Sequence, residues 1–297
     1  MSLPKVAVLT GGTGFIGSRV ARRLLAEGWQ VRILSASGRR EALGKQAVAV
    51  SWHSVGDADI EKAITGAMVY FNFAVAYDRP SVSDEILQRV NVDLPCRVMT
   101  ALRKAGGMAR CVLGDSFFRK FPPEATAQGR YTRSKTDQWT MAQALAAGDR
   151  LAVAMLRIEQ VYGPGETLTK AFPSVVARLL RQEPRIALTQ GLQRRDFVHV
   201  DDVADAALVV AQHHAKGATV IDCGSGSATP VREVFLQLHA LTGSSSTLGF
   251  GDYPADQTID SSQADLTWLE QAGWRPRISL SEGLRQLVDD VRARVGD

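Results

Sequence analysis

Cysteine is scarce in this chain. Cys96, Cys111 and Cys223 are far apart, odd in number and free of any CxxC spacing. That excludes a disulfide framework and a cysteine zinc site, and it fits a reducing, cytoplasmic setting. The five histidines show no metal-ligand spacing, so no metal is expected. No stretch approaches 18 apolar residues, which excludes a membrane-spanning helix. The opening "MSLPKVAVLT" holds an apolar run too short for a secretion signal and is read as a strand. No run of five like charges occurs and the net charge is only +4, so a nucleic-acid-binding tail is not indicated. Internal repeats and low-complexity segments are absent. What remains is an ordinary globular composition of 45% hydrophobic and 22% charged residues. Its length of 297 residues suits one large α/β unit or two domains sharing a cleft.

Glycine, by contrast, is concentrated where it carries chemistry. "KVAVLT" is a β-branched run, and "GGTGFIG" follows at once. Gly12, Gly14 and Gly17 satisfy GxGxxG, and Gly11, Gly14 and Gly17 satisfy GxxGxxG. In "SRVARRLLAEG", together with Phe15 and Ile16, apolar residues recur at helical spacing up to Gly28. "WQVRILS" then reads as a second strand. Strand, glycines, amphipathic helix and strand in this order form the dinucleotide fingerprint. Glycines let the backbone approach a pyrophosphate, and the helix start offers N–H groups and a positive dipole end. At the end of the second strand an acidic residue would bind the ribose 2′-hydroxyl of NAD. Ser35 stands there instead, followed by Arg39 and Arg40. No carboxylate repels a 2′-phosphate, so NADP is favoured over NAD. The alternative is that both arginines are plain loop residues.

Further strand-like and helical runs alternate through "AVAVSWHSV", "DADIEKAITGA", "AMVYFNFAVA" and "ARCVLGDS". This βαβα order predicts a parallel, doubly wound sheet. "DEILQRVNVDLPCRVMTALRKAGG" reads as one long helix stopped by Gly106 and Gly107. "YTRSK" sets Tyr131 and Lys135 one helical turn apart, a spacing that chance also produces.

Taken in order, "GGTGFIG", "FNFAVA", "NV" (91–92), "VLGDS", "YTRSK", "LRIEQVYGPG", "RRDFVHVDDVADA", "DCGSG" and "AGWRP" span nearly the whole chain. In this the sequence resembles the extended short-chain dehydrogenase/reductase family, the NAD-dependent epimerases and dehydratases that modify nucleotide-linked sugars. The resemblance implies a Rossmann-type domain over residues 1–166, with 196–222 returning to it. A smaller mixed α/β substrate domain is implied over 167–195 and 223–297. It implies a Ser116, Tyr131 and Lys135 active site, and a cofactor site of Gly11, Gly14, Phe15, Ile16, Gly17, Ser35, Arg39, Arg40, Ala74, Tyr131 and Lys135. Arg195, helped by Arg194, is the implied contact to a nucleotide diphosphate, and homodimerisation through two helices is expected. Those helices are "DLPCRVMTALRKAG" and "TDQWTMAQALAAG", whose apolar residues equally suit their own sheet.

The chemistry of the triad stands apart from the resemblance. A phenol titrates near ~10 and a cation beside it favours the anion. In the active site that the resemblance implies, Tyr131 would then take a proton from a substrate hydroxyl as hydride leaves the same carbon, or return one in reverse. Where dehydratases of the family follow the active hydroxyl residue with Asp and Glu, this chain has Phe117 and Phe118, which move no proton. Relatives often carry one more arginine before a "D-x-S-K-A" element. Phe250 is read at its place here, and Gln263 replaces the lysine. Asp201 and Asp202 read as a helix N-cap. Epimerase or 4-keto reductase is therefore expected before dehydratase. A reductase of a non-sugar carbonyl compound and a catalytically silent dinucleotide-binding regulator are the other readings.

Overall fold

The computed structural model describes residues 5–296 except 37, 39, 107, 149, 215 and 255–258. Its elements, in chain order, begin with β1 (Val6–Thr10), α1 (Gly17–Ala26), β2 (Gln30–Leu34), β3 (Val50–His53), α2 (Asp57–Ile64) and β4 (Ala67–Asn72). Next come α3 (Asp84–Gln88), α4 (Leu94–Ala105), β5 (Ala109–Ser116), α5 (Gly129–Ala146), β6 (Leu151–Ile158), β7 (Gln160–Tyr162), α6 (Ala171–Leu180) and β8 (Arg185–Leu188). The chain ends with β9 (Arg194–His199), α7 (Val200–His213), β10 (Gly217–Cys223), β11 (Ala228–Pro230), α8 (Val231–Thr242), β12 (Thr247–Phe250), α9 (Thr267–Gln271) and α10 (Leu280–Val295).

Two compact units result. The first comprises residues 1–158, 204–222 and 268–274; the second comprises 159–203, 223–267 and 275–297. The first unit was expected to run to residue 166 and to resume at 196, but the division falls at Ile158 and Ala204. The reason is pairing. β9 bonds to β7 and β11 in a separate three-stranded sheet, so both flanks of that stretch follow their partners.

The first unit carries a seven-stranded sheet in the order β10-β6-β5-β4-β1-β2-β3. The pairings from β6 through β3 are all parallel. This is the Rossmann-type sheet, with helices on its faces. Val6 to Leu9 are buried throughout, as a strand covered on both faces requires. One core cluster joins Val8, Tyr70 and Leu113 from the strands to Val98, Met99, Leu102, Ala142 and Ala146 from α4 and α5. The apolar residues of those two helices therefore face their own sheet. Their outer faces carry Arg97, Arg103, Lys104, Arg133 and Asp137, and among the described residues neither helix exposes a large apolar side chain. Among the described residues no helix is long and apolar enough to cross a membrane.

The second unit packs α6, α8 and α10 around a core of Val176, Leu179, Val234, Leu238, Leu284, Leu287 and Val291. β8 and β12 form a further parallel pair. Asp202 was read as a helix cap with Asp201. Its two carboxylate oxygens instead accept the amides of Arg277 and Ile278, 3.1 Å each, and so tie down the approach to α10.

Candidate active site

The glycine loop turns immediately at the end of β1. Gly11 has φ +71°, and a Cβ there would overlap the backbone of Phe73 and Ala74. A Cβ on Gly17 would overlap the Gly11 carbonyl, and one on Gly12 would press on Ile33. Gly14 differs: its nearest neighbour would be the Gly11 carbonyl at 3.2 Å, and the residue is exposed. Three glycines thus let the loop pack onto the strand ends, and the fourth presents bare backbone. α1 starts there without an acidic residue in its first turn, so nothing opposes an anion at its positive end. Phe15 and Ile16 are half-buried in the turn, with Arg19 over the Phe15 ring at 5.1 Å. This cradle fits a dinucleotide pyrophosphate.

Beneath the loop, Thr10 Oγ1 is 2.7 Å from the Tyr70 hydroxyl and donates to Asn72 Oδ1 at 2.6 Å, all buried. At the end of β2, Ser35 Oγ accepts the Gly38 amide at 3.1 Å. Arg40 lies over the Trp52 ring at 5.3 Å. Arg39 lies outside the described residues.

Three elements converge on the "YTRSK" helix face. Tyr131 and Lys135 are 5% and 2% exposed on α5, which packs on β5 and β6. Ser116 ends β5 and its Oγ accepts the Phe118 amide at 3.3 Å. That bond uses a lone pair and leaves the hydroxyl proton to donate to the Tyr131 phenol. Lys135 Nζ sits 5.8 Å from the Tyr131 ring centre and donates to Gly114 O at 2.7 Å and Gln138 Oε1 at 3.1 Å. Burial lowers the Lys135 pKa to about 8, with Asp115 opposing that change and Arg119 reinforcing it. Burial, then Tyr77 and Asp115, raise the Tyr131 phenol well above its usual range, while the Ser116 bond pulls it down. Without further cation, Tyr131 is a neutral phenol near pH 7: a proton donor, with a charged lysine next to it.

Several residues here are not singled out by sequence motifs. Helical spacing predicts one helix from Asp84 to Gly107, but five residues, Arg89–Asp93, wind as a π-turn between α3 and α4. The turn holds Asn91 fully buried. Asn91 clasps Ala76 by both N–H and C=O, at 2.8 and 2.9 Å, and donates to Ser134 Oγ on the α5 face at 2.9 Å. Arg130 holds the same loop from α5. Its side chain reaches Asp78 Oδ1 at 2.5 Å, Val82 O at 3.0 Å and Asp84 Oδ1 at 3.1 Å, and its amide reaches Asp78 Oδ2. Between the clamped residues Ala76 and Asp78 stands Tyr77, half-buried, its ring 5.3 Å from that of Tyr131. Asp115, beside Ser116, is buried and paired with Arg119 at 2.7 Å; Arg119 in turn lies 5.5 Å from the centre of the Trp139 ring. The only sequence signal was the "GDS" acid at a strand end.

Phe117 is buried and Phe118 half-buried, ring centres 4.3 Å apart, so the positions after Ser116 offer no acid or base. The cofactor-loop residues and Ser116, Tyr131 and Lys135 all belong to the first unit; Arg194 and Arg195 belong to the second. There Arg195 is 3% exposed and donates to the carbonyls of Arg194 and Ile259. The exposed guanidinium of the pair is Arg194, which bonds to Ala228 O. Phe250, read as replacing an arginine, has the Arg232 guanidinium 4.0 Å from its ring centre. Among the described residues no cluster of metal ligands occurs.

Residues 7–224 match the NAD dependent epimerase/dehydratase family. The CDP-abequose synthase of Salmonella muenchen is 26% identical over 294 residues, covering 97% of this chain and 98% of that protein. The dTDP-6-deoxy-L-talose 4-dehydrogenase (NAD(P)(+)) of Kitasatospora kifunensis is 27% identical, covering 95% of this chain and 94% of that one. Among solved structures, MoeE5 in complex with UDP-glucose and NAD superposes with a TM-score of 0.82 at 26% identity, covering 97% and 99%.

Proposed function

Because this chain belongs to the NAD-dependent epimerase/dehydratase family, we propose that it moves a hydride between NAD(P) and one ring carbon of a nucleotide-linked sugar. Ser116, Tyr131 and Lys135 are its catalytic residues in this reading. The observation that carries it is the buried phenol–ammonium pair with a hydroxyl donor at the adjoining strand end.

The glycine loop and Ala74 would hold the pyrophosphate half of the coenzyme, and Lys135 the nicotinamide ribose. When bound, the nicotinamide supplies or accepts the hydride. The chain's own residues handle the proton. Tyr131, neutral in its buried site, gives its proton to a carbonyl oxygen as that oxygen gains charge. Ser116, whose proton faces the phenol in the free protein, would turn it to the same oxygen. The Lys135 ammonium stabilises the phenolate left behind. Reduction of a 4-keto sugar is the leading reaction in this reading, because Tyr131 can supply the one proton it needs. The full-length relative named as a 4-dehydrogenase supports position 4.

Epimerisation is the second reading, since withdrawing and returning hydride at one carbon uses the same three groups. Water elimination is disfavoured by Phe117 and Phe118. NADP is favoured over NAD because β2 ends in Ser35 rather than a carboxylate, and the NAD(P)(+) relative is compatible with either. Arg194 and Arg195 are proposed to serve the diphosphate, and a homodimer remains the expectation.

The test begins with thermal shift against CDP, UDP, dTDP and GDP, followed by NADPH and NADH oxidation with the matching NDP-4-keto sugars. Tyr131→Phe should lose about three orders of magnitude in kcat while binding reduced cofactor normally. Unchanged turnover in that variant would remove Tyr131 from the mechanism. With NDP-hexoses, interconversion of the two epimers at one ring carbon without net cofactor consumption would favour the epimerase.

A further inference from the structure

Gln138 lies on the buried face of α5, three residues beyond Lys135, and is itself 0% exposed. Only one end of its amide is used. Oε1 accepts from Lys135 Nζ at 3.1 Å, whereas Nε2 has no hydrogen-bond partner among the described residues. A buried, unmade N–H costs about 1–3 kcal/mol, so packing gives no reason for an amide here when a leucine or methionine would fill the space. Reversing the amide would turn its NH2 against the ammonium. Its orientation is therefore dictated by the lysine charge.

We propose that Gln138 is a positioning residue, which holds Lys135 as an ammonium and aims it at the Tyr131 side of the site. Two of the three ammonium N–H groups are then committed, to Gln138 Oε1 and to Gly114 O on β5. The third has its direction set by tetrahedral geometry. Asp115 on β5 and Arg119 just after it are the charged groups that act on Lys135; Tyr131 lies one turn back on α5, and Tyr77 faces that phenol from the loop after β4. Asp115 and Arg119 are bonded to each other and act in opposite senses on the ammonium. The uncompensated favourable contacts are the two carbonyl dipoles, and only that of Gln138 belongs to a side chain. The inference rests on Lys135 being the cation that serves Tyr131.

The experiment is a lysine titration that needs neither cofactor nor substrate. Of the eight lysines, the Lys135 side-chain NMR signal is assigned by its loss in Lys135→Met. In the wild type it should titrate at about 8. Gln138→Leu should lower that midpoint by about one unit, a ~10-fold loss of proton affinity, with Tm unchanged or higher. Gln138→Glu should raise it above wild type. Gln138→Met gives the same comparison should the leucine variant misfold. With substrate in hand, kcat of Gln138→Leu should fall about tenfold with little change in KM, and the alkaline limb of the pH profile should follow the midpoint. A midpoint unmoved within ~0.2 unit in the leucine and methionine variants overturns the proposal. A shifted midpoint in a protein that turns over no nucleotide sugar upholds it and sinks the reading of function instead.

Discussion

Lys135 should make the protein less stable at neutral pH than an apolar side chain would, and the deficit should vanish in alkali. Its pKa falls from 10.5 to about 8 on folding, chiefly through burial. The difference, 10.5 − 8, at ~1.36 kcal/mol per unit amounts to about 3 kcal/mol. Lys135→Met removes that penalty but leaves Gly114 O and Gln138 Oε1 without their donor, at ~1 kcal/mol each. Asp115 keeps Arg119. The net gain at pH 7 is therefore about 1 kcal/mol, a rise of ~2–4 °C in Tm. The sign then changes with pH. Between about 8 and 10.5 the unfolded wild type still holds the lysine proton that the folded protein has released, so wild-type stability climbs through this window. The variant has no such group. Its advantage should fall by about 3 kcal/mol and become a deficit. Differential scanning calorimetry of both proteins from pH 7 to 10.5 reads this as a difference, in which the other titrating groups cancel. Parallel Tm curves would refute the claim that a charged lysine is buried at cost for the sake of the site.

Three other outcomes are expected. Gly17→Ala should clash with the Gly11 carbonyl and abolish dinucleotide binding, checked by fluorescence titration with NADPH; retained affinity would show that the loop yields. Arg130→Ala removes the side-chain bonds from α5 to Asp78, Val82 and Asp84 and keeps only the amide bond to Asp78; proteolysis within residues 77–84 should accelerate, and kcat/KM should drop about 10- to 100-fold through misplacement of Tyr77 and Tyr131. Tyr77→Phe should lower the Tyr131 pKa, because Tyr77 raises it, and should shift the pH–rate profile to lower pH; a fixed profile would mean that the two phenols do not interact.

The linear pattern reveals much of this protein, and the reason is locality. A glycine loop between strand and helix, a phenol and an amine one turn apart, and a hydroxyl at a strand end are each fixed by residues close in sequence. So is βαβ alternation, and with it the parallel sheet. The π-turn at Asn91 was not readable, because apolar spacing along 84–107 satisfies an unbroken helix equally well. Its cause is long-range: Asn91 must meet Ala76, 15 residues away, and Ser134, 43 away. Nor do letters tell that Arg130 clamps the loop at Asp78, or that Tyr77 stands against Tyr131, since loop and helix meet only when β4 and β5 pair. The pairing of β9 with β7 and β11, which assigns Arg194 and Arg195 to the second unit and buries the latter, is of the same kind. Residue identity along the chain specified which groups are candidates for the chemistry. The folded chain alone decided their protonation, because burial and the company of Asp115 and Arg119 reach Lys135 from β5 and the turn after it, which the sequence keeps apart from α5.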